Sequence, residues 1–277
     1  MGSVEDLTAG QISTNGDAPM TSSKLSIREL SKVYETAAAP VHALDRITES
    51  VDEGEFVAIV GASGCGKTTL LWAMSGLHPT TSGDVLLDGE PINGPVPDRI
   101  GMVFQDATLL PWRTLLRNIE FPFEIKQHAP DRQRIAELIE IAGLTGFEHS
   151  YPRELSGGMR QRASIVRALA QDPEVLLMDE PFGALDAFTR DEMNLLLLQL
   201  WEAARKTVVF VTHSINEAVF LADRIWVLTP RPGRLAEVYD VPFGRPRDLE
   251  LHYDPEFIQL TREIKAHVQG DTPEGAR

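Results

Sequence analysis

The stretch Phe56-Val57-Ala58-Ile59-Val60-Gly61-Ala62-Ser63-Gly64-Cys65-Gly66-Lys67-Thr68-Thr69 decides the fold. Five apolar residues in a row suit a strand buried on both faces, as in a parallel sheet. The nine residues from Gly61 have the spacing G-x-x-x-x-G-K-T of a phosphate-binding loop. An apolar, helix-compatible run from Leu70 to Met74 follows. Glycine at three positions lets the backbone turn back and bring its N–H groups to phosphate oxygens. The helix that opens here adds free N–H groups and the positive end of its dipole. Lys67 supplies a compact positive charge for the β- and γ-phosphates, and the Thr68 hydroxyl is placed to ligate Mg²⁺. A nucleoside triphosphate is therefore expected on Gly61, Ala62, Ser63, Gly64, Cys65, Gly66, Lys67, Thr68 and Thr69. Because Cys65 lies inside the loop, bound ATP is expected to shield it from thiol reagents.

Upstream, residues 25–34 begin with alternation and read as a half-buried strand. Residues 35–42 read as a loop, and 43–52 alternate weakly up to the turn signal Glu53-Gly54. Downstream, short strands around turns are expected at 83–89 and 100–104. Residues 111–155 change to a helical period, as in Ile135, Leu138, Ile139 and Ala142, which Gly143 stops. Val175–Met178 and Thr207–Val211 read as second and third buried strands. Strands alternating with helices argue for an α/β core with a mostly parallel sheet. A strand is expected at 234–241. Asp254 and Pro255 suit the N-cap and first position of a last helix, with Phe257, Leu260, Ile264 and Val268 on one face. Residues 270–277 are expected to fray.

The chain has 277 residues, 43% of them apolar and 24% charged, enough to bury a sizeable core. Its formal charge of −15 disfavours a broad nucleic-acid surface. With one cysteine, Cys65, no intrachain disulfide can form, which suits a reducing compartment. No apolar stretch reaches the roughly 18 residues of a membrane span. Residues 1–23 lack the basic region and apolar core of a signal peptide, and their polar composition reads as a disordered leader. The expectation is a soluble protein that needs a partner to hold it at any membrane.

Two further runs enlarge the site. Val175-Leu176-Leu177-Met178 is followed by Asp179-Glu180, which places carboxylates at the end of a strand beside the phosphate loop. Asp179 would hold Mg²⁺ directly or through water, and Glu180 would orient or polarise the attacking water. Ser156-Gly157-Gly158 opens another helical stretch. Two glycines in a first turn weaken a helix, which makes sense if a ligand must approach the backbone and meet its free N–H groups.

The phosphate loop, the run Leu155-Ser156-Gly157-Gly158-Met159-Arg160-Gln161-Arg162, the run Leu176-Leu177-Met178-Asp179-Glu180-Pro181 and Thr212-His213 resemble, in order and spacing, the ATP-binding subunits of ABC transporters. The likeness covers about residues 24–230. It implies a P-loop NTPase (RecA-like) core with a mostly parallel sheet, an N-terminal antiparallel β-subdomain and an inserted helical subdomain at about 106–160. The ATPase domain would run over 24–245 and a helical tail over 246–277. By the same resemblance, Tyr34 stacks on adenine, and Gln105 contacts Mg²⁺ and links the site to the membrane subunit. Glu180, His213 and Gln105 are catalytic, Ser156–Gly158 bind the γ-phosphate held by a partner, and Asp186 communicates across the dimer. Met159 departs from the commonest signature, which has Gln there, and Gly183 stands where Ser is common. Neither Glu180 nor His213 is replaced, so hydrolysis of ATP with Mg²⁺ is expected.

The implied partners are a second copy arranged head to tail, integral membrane permease subunits and, indirectly, a solute-binding protein, with no nucleic acid. The implied place is the cytoplasmic face of the membrane, as a peripheral protein. Leu109-Leu110-Pro111-Trp112-Arg113-Thr114, the Tyr151–Arg162 run and Asp254-Pro255-Glu256-Phe257 resemble the nitrate, sulfonate and taurine importers. The apolar residues around Trp112 would suit a groove for a coupling helix of the permease. The alternative is an ABC ATPase acting on ribosomes or DNA. Such proteins usually carry two cassettes or a long coiled coil, and this chain has neither.

Overall fold

The structure, a computed structural model, describes residues 23–37 and 39–270. The expected leader lies outside these residues apart from Ser23, which opens the first strand; the expected fraying lies outside them apart from Gly270. β1 (Ser23–Tyr34) and β2 (Val41–Asp52) form an antiparallel pair. The expected loop is thus shorter than 35–42, because Val41 and His42 already pair with Tyr34 and Val33. β3 (Phe56–Gly61) is buried at every residue and leads into α1 (Lys67–Met74). β4 (Ser82–Leu87) returns to pair with β1, and β5 (Glu90–Pro91) closes a four-stranded antiparallel sheet in the order β2-β1-β4-β5.

β6 (Ile100–Val103) starts the second sheet. The helices α2 (Leu115–Lys126), α3 (Arg132–Ile141) and α4 (Gly157–Ala170) then intervene before β7 (Val175–Asp179). α5 (Ala187–Ala204), β8 (Thr207–Val211), α6 (Ile215–Leu221), β9 (Arg224–Leu228), β10 (Leu235–Asp240) and α7 (Pro255–Gln269) complete the chain. The order is β10-β9-β3-β8-β7-β6, parallel throughout except for β10 at the edge. The expected α/β class and both sheet types are present.

β3 sits inside this sheet, and its side chains divide by strand period. Phe56, Ala58 and Val60 join the core formed with the helices, while Val57 and Ile59 join the core shared with α1 and the antiparallel sheet. Burial on both faces explains why β3, β7 and β8 read as unbroken apolar runs. A charged cluster joins the two sheets: Lys24 on β1 and Arg99 before β6 both reach Asp88 and Glu174. Hydrogen bonds from Arg99 and Lys24 hold the Glu174 carboxyl down at about 2. Asp254 caps α7, accepting from Glu256 N at 2.7 Å, and Phe257 and Ile264 of that helix are buried against the core.

Candidate active site

β3 delivers the chain into the phosphate loop, and α1 leaves it at Lys67. Gly66 has φ +109°, and a Cβ there would lie 2.9 Å from Ala43 O and 2.7 Å from Leu44 Cδ2. Only glycine fits this close approach of the loop to β2. Lys67 is 6% exposed, and its ammonium donates to Gly61 O at 3.0 Å and Ala62 O at 3.3 Å. The Thr68 hydroxyl donates to Asp179 Oδ1 at 2.9 Å, joining the loop to the end of β7.

Asp179 is 8% exposed, and burial pushes its carboxyl above the usual range, opposed by the Thr68 hydrogen bond. A buried carboxylate beside a hydroxyl at the edge of a phosphate site is the hard-oxygen donor set that Mg²⁺ takes. Among the described residues no group of three or more His, Cys, Asp or Glu could hold a metal. A cation here would therefore depend on one carboxylate, one hydroxyl and the nucleotide's own oxygens.

Glu180 follows with φ +44°, a left-handed conformation uncommon for a residue with a side chain. Its N–H donates to Val211 O at 2.9 Å, so the turn is fixed on the end of β8. Its Oε2 lies 3.1 Å from His213 Nδ1. Gly183 brings Gln105 into the same group: a Cβ built there would lie 3.6 Å from both Gln105 Nε2 and Glu180 Oε2. The three residues come from the ends of β6, β7 and β8. Beneath His213, Thr212 donates to buried Glu217 at 2.6 Å, and Arg190 Nε reaches the other Glu217 oxygen at 3.1 Å. Arg190 also donates to Leu185 O at 2.8 Å, tying the histidine loop to the segment that carries Asp186. Burial raises the Glu217 carboxyl.

A cavity of about 320 Å³ is lined by Tyr34, Val41, Ala43, Ser63, Gly64, Gly66, Lys67, Thr68, Thr69, Glu180 and Arg231. Tyr34 forms one wall, with its hydroxyl 3.5 Å from Thr69 Oγ1 and 3.3 Å from His78 Nδ1. Nothing local in the sequence marks Arg231, Val41 or Ala43: Val41 and Ala43 reach the cavity on β2, and Arg231 from the turn between β9 and β10.

Ser156, Gly157, Gly158 and Asp186 do not line this cavity. Ser156 caps α4, accepting from Met159 N at 3.2 Å. A Cβ on Gly157 would meet nothing nearer than Arg160 at 4.0 Å, so the fold itself does not demand glycine there. Asp186 caps α5, accepting from Thr189 N at 3.1 Å and Thr189 Oγ1 at 2.7 Å, which lowers its carboxyl.

Cys65 requires a correction. Its side chain is 1% exposed in the core under the loop, and burial raises the thiol. The loop offers its backbone at this position, not its sulfur. Labelling of the native chain by a thiol reagent is therefore expected to be slow with or without ATP, and fast only after unfolding. Rapid native labelling that ATP suppresses would restore the first expectation.

A model of the ABC transporter family matches residues 44–183. The chain belongs to the ABC transporter family of ATP-binding proteins. It is 50% identical to an uncharacterized ABC transporter ATP-binding protein of Methanocaldococcus jannaschii, over 87% of this chain and 90% of that one. It is 46% identical to a nitrate import ATP-binding protein of Synechococcus elongatus, over 84% and 86% of the two chains. It is 44% identical to a taurine import ATP-binding protein of Rhizobium johnstonii, over 82% and 88%. Among solved structures, a dimeric bacterial ABC transporter cassette matches with TM-score 0.70 and 35% identity, over 79% of this chain and all of that one. The same cassette as a post-hydrolysis dimer bound to ADP and Pi matches with TM-score 0.69 and 35% identity, over the same shares.

Proposed function

We propose that the chain is the ATP-hydrolysing subunit of an ABC importer that takes up a small anion or organic solute, nitrate-, sulfonate- or taurine-like. The observation that carries this reading is the convergence of Lys67, Thr68, Asp179, Glu180 and His213 on one phosphate loop, in a chain closely related to nitrate and taurine import proteins. Substrate choice would lie with other subunits, since two relatives of nearly equal identity serve different solutes by name.

In this reading Tyr34 stacks on the base. The loop amides from Ser63 to Thr69 and the Lys67 ammonium hold the phosphates. Thr68 and Asp179 would hold Mg²⁺, which when bound would neutralise charge on the nucleotide's phosphates. Glu180 accepts a proton from the attacking water, and Gln105 helps position that water. His213 Nδ1 holds the Glu180 carboxylate in place and leaves the other ring nitrogen to face the γ-phosphate. Ser156–Gly158 of a second copy close the site from the far side, with their helix N-terminus aimed at the γ-phosphate. Asp186, on the short link through Leu185 and Arg190 to Glu217 and Thr212, carries the state of one site to the other.

The ATPase domain would span 24–245, with helices over about 106–160 inserted as a unit and the tail at 246–277. No helix among the described residues is long and apolar enough to cross a membrane. A permease would supply the anchorage, on the cytoplasmic face, and a solute-binding protein would act through that permease. Trp112, 70% exposed after Gln105, supports a docking surface there. So does a groove of about 840 Å³ between α2 and α3, with Leu116, Ile135 and Ile139 in its wall. The test is purification of the tagged chain from detergent-solubilised membranes of its source cells. Recovery with an integral membrane protein, and ATP turnover that this protein modulates, is expected. Recovery of the chain with ribosomes or DNA, and no membrane protein, would contradict the importer reading.

A further inference from the structure

We propose that Arg231 is a phosphate-contacting residue of the nucleotide site, placed there by a turn moulded onto the phosphate loop; this rests on the reading of that loop as the ATP site. β9 ends at Leu228, and the chain reverses through 229–234 into β10. Gly233 presses on the loop from outside, so that a Cβ there would fall 2.2 Å from Cys65 O. Its N–H donates to Ala43 O at 2.9 Å, and its carbonyl accepts from Asp45 N at 3.0 Å. Thr229 Oγ1 donates to Pro232 O and accepts from Arg234 N, both at 3.0 Å, and Arg234 pairs with Asp45 at 2.6 Å.

These contacts fix the turn that carries Arg231 and leave its side chain exposed at the cavity mouth. The guanidinium donates to Gly64 O through Nη2 at 3.1 Å and Nε at 3.3 Å. That carbonyl is a neutral acceptor, whereas a phosphate oxygen carries charge and accepts the guanidinium fork bidentately. An entering polyphosphate can therefore capture the guanidinium with little movement of the main chain. The Lys67 ammonium already turns inward to Gly61 and Ala62, while Asp179 and Glu180 add negative charge at the same site. A second cation at the mouth offsets that pair as ATP enters. An ordinary surface arginine would account for the bond to Gly64 alone. It would not account for a turn that Thr229 closes, that Gly233 packs against Cys65 O, and that Gly233 and Arg234 tie to Ala43 and Asp45 of β2.

The test measures Mg-ATP and Mg-ADP affinity of the full chain by displacement of a fluorescent ATP analogue, together with nucleotide-free melting. Arg231→Gln is expected to weaken both nucleotides about tenfold, one charge-assisted contact, with melting within about 2 °C of wild type. Arg231→Lys should recover part of the loss. Unchanged affinity in Arg231→Gln overturns the proposal. So does an affinity loss that comes with a lower melting temperature and no recovery by lysine, which would make Arg231 a prop of the loop. Lys67→Ala serves as control: if it keeps full affinity, the reading of the loop as the ATP site fails instead.

Discussion

Glu180→Gln is expected to lower ATP turnover by at least about 10²-fold, the usual scale for loss of a general base. Three observations set that size. The Glu180 carboxylate lines the phosphate cavity, is held by His213 at 3.1 Å, and sits within reach of the point where Gln105 converges. Glutamine keeps the length and one oxygen to meet His213 but cannot take a proton from water. The left-handed backbone at this position, φ +44°, is as tolerable for Gln as for Glu, so the fold should be unchanged. ATP affinity should stay within about threefold of wild type, because the contacts to the phosphates come from the loop and Lys67. With turnover blocked, ATP-bound dimers should accumulate. Steady-state hydrolysis and ATP binding measured side by side check this, and near wild-type hydrolysis would remove Glu180 from the catalytic role.

Arg247→Met is expected to destabilise the fold by about 3 kcal/mol or more. The Arg247 side chain is 1% exposed. Its Nη1 donates to the carbonyls of Phe220 and Ala222 at 2.9 Å and of Val219 at 3.3 Å, and Nη2 donates to Phe243 O at 2.8 Å. The last carbonyls of α6 have no partners within their own helix, and this guanidinium supplies them. Burial and the neighbouring Arg245 hold its pKa down at about 10, which still leaves it charged at neutral pH. Methionine fills similar space but leaves those carbonyls buried and unpaired. The expected fall in melting temperature is on the order of 10 °C. A variant that melts within about 2 °C of wild type would show that the tail is only loosely tied to α6.

The parts of the site that were legible in the sequence are those written in consecutive residues. A phosphate loop needs its glycines, lysine and threonine at fixed spacing, because one continuous turn of backbone surrounds the phosphates. Asp179 and Glu180 were legible because a strand buried on both faces must be apolar and ends visibly at its first charge. Elements fixed by distant contacts were harder to read. Arg231 and Ala43 meet at the cavity only because β9 and β2 flank the loop. The link from Glu217 to Arg190 crosses from α6 to α5, and neither residue carries a local mark. Arg245 and Arg247, beside Pro246 and Asp248, have the composition of an exposed loop, yet the unpaired end of α6 draws Arg247 inside. β9 could have been found from Ile225-Trp226-Val227-Leu228, a short apolar run that periodicity alone does not separate from a buried helix segment. Cys65 shows the converse: its place in the loop was legible, but which way its side chain points was not.

On the proposed reading, Ser156–Gly158 serve the nucleotide of a second copy and not that of their own chain. The most direct measurement is sedimentation of Glu180→Gln and of Glu180→Gln combined with Ser156→Arg, each with saturating labelled ATP. Both variants should bind ATP with similar affinity; the single variant should sediment as a dimer, and the double variant should stay a nucleotide-loaded monomer. A double variant that dimerises as readily as the single one, or that loses ATP from the monomer, would contradict it.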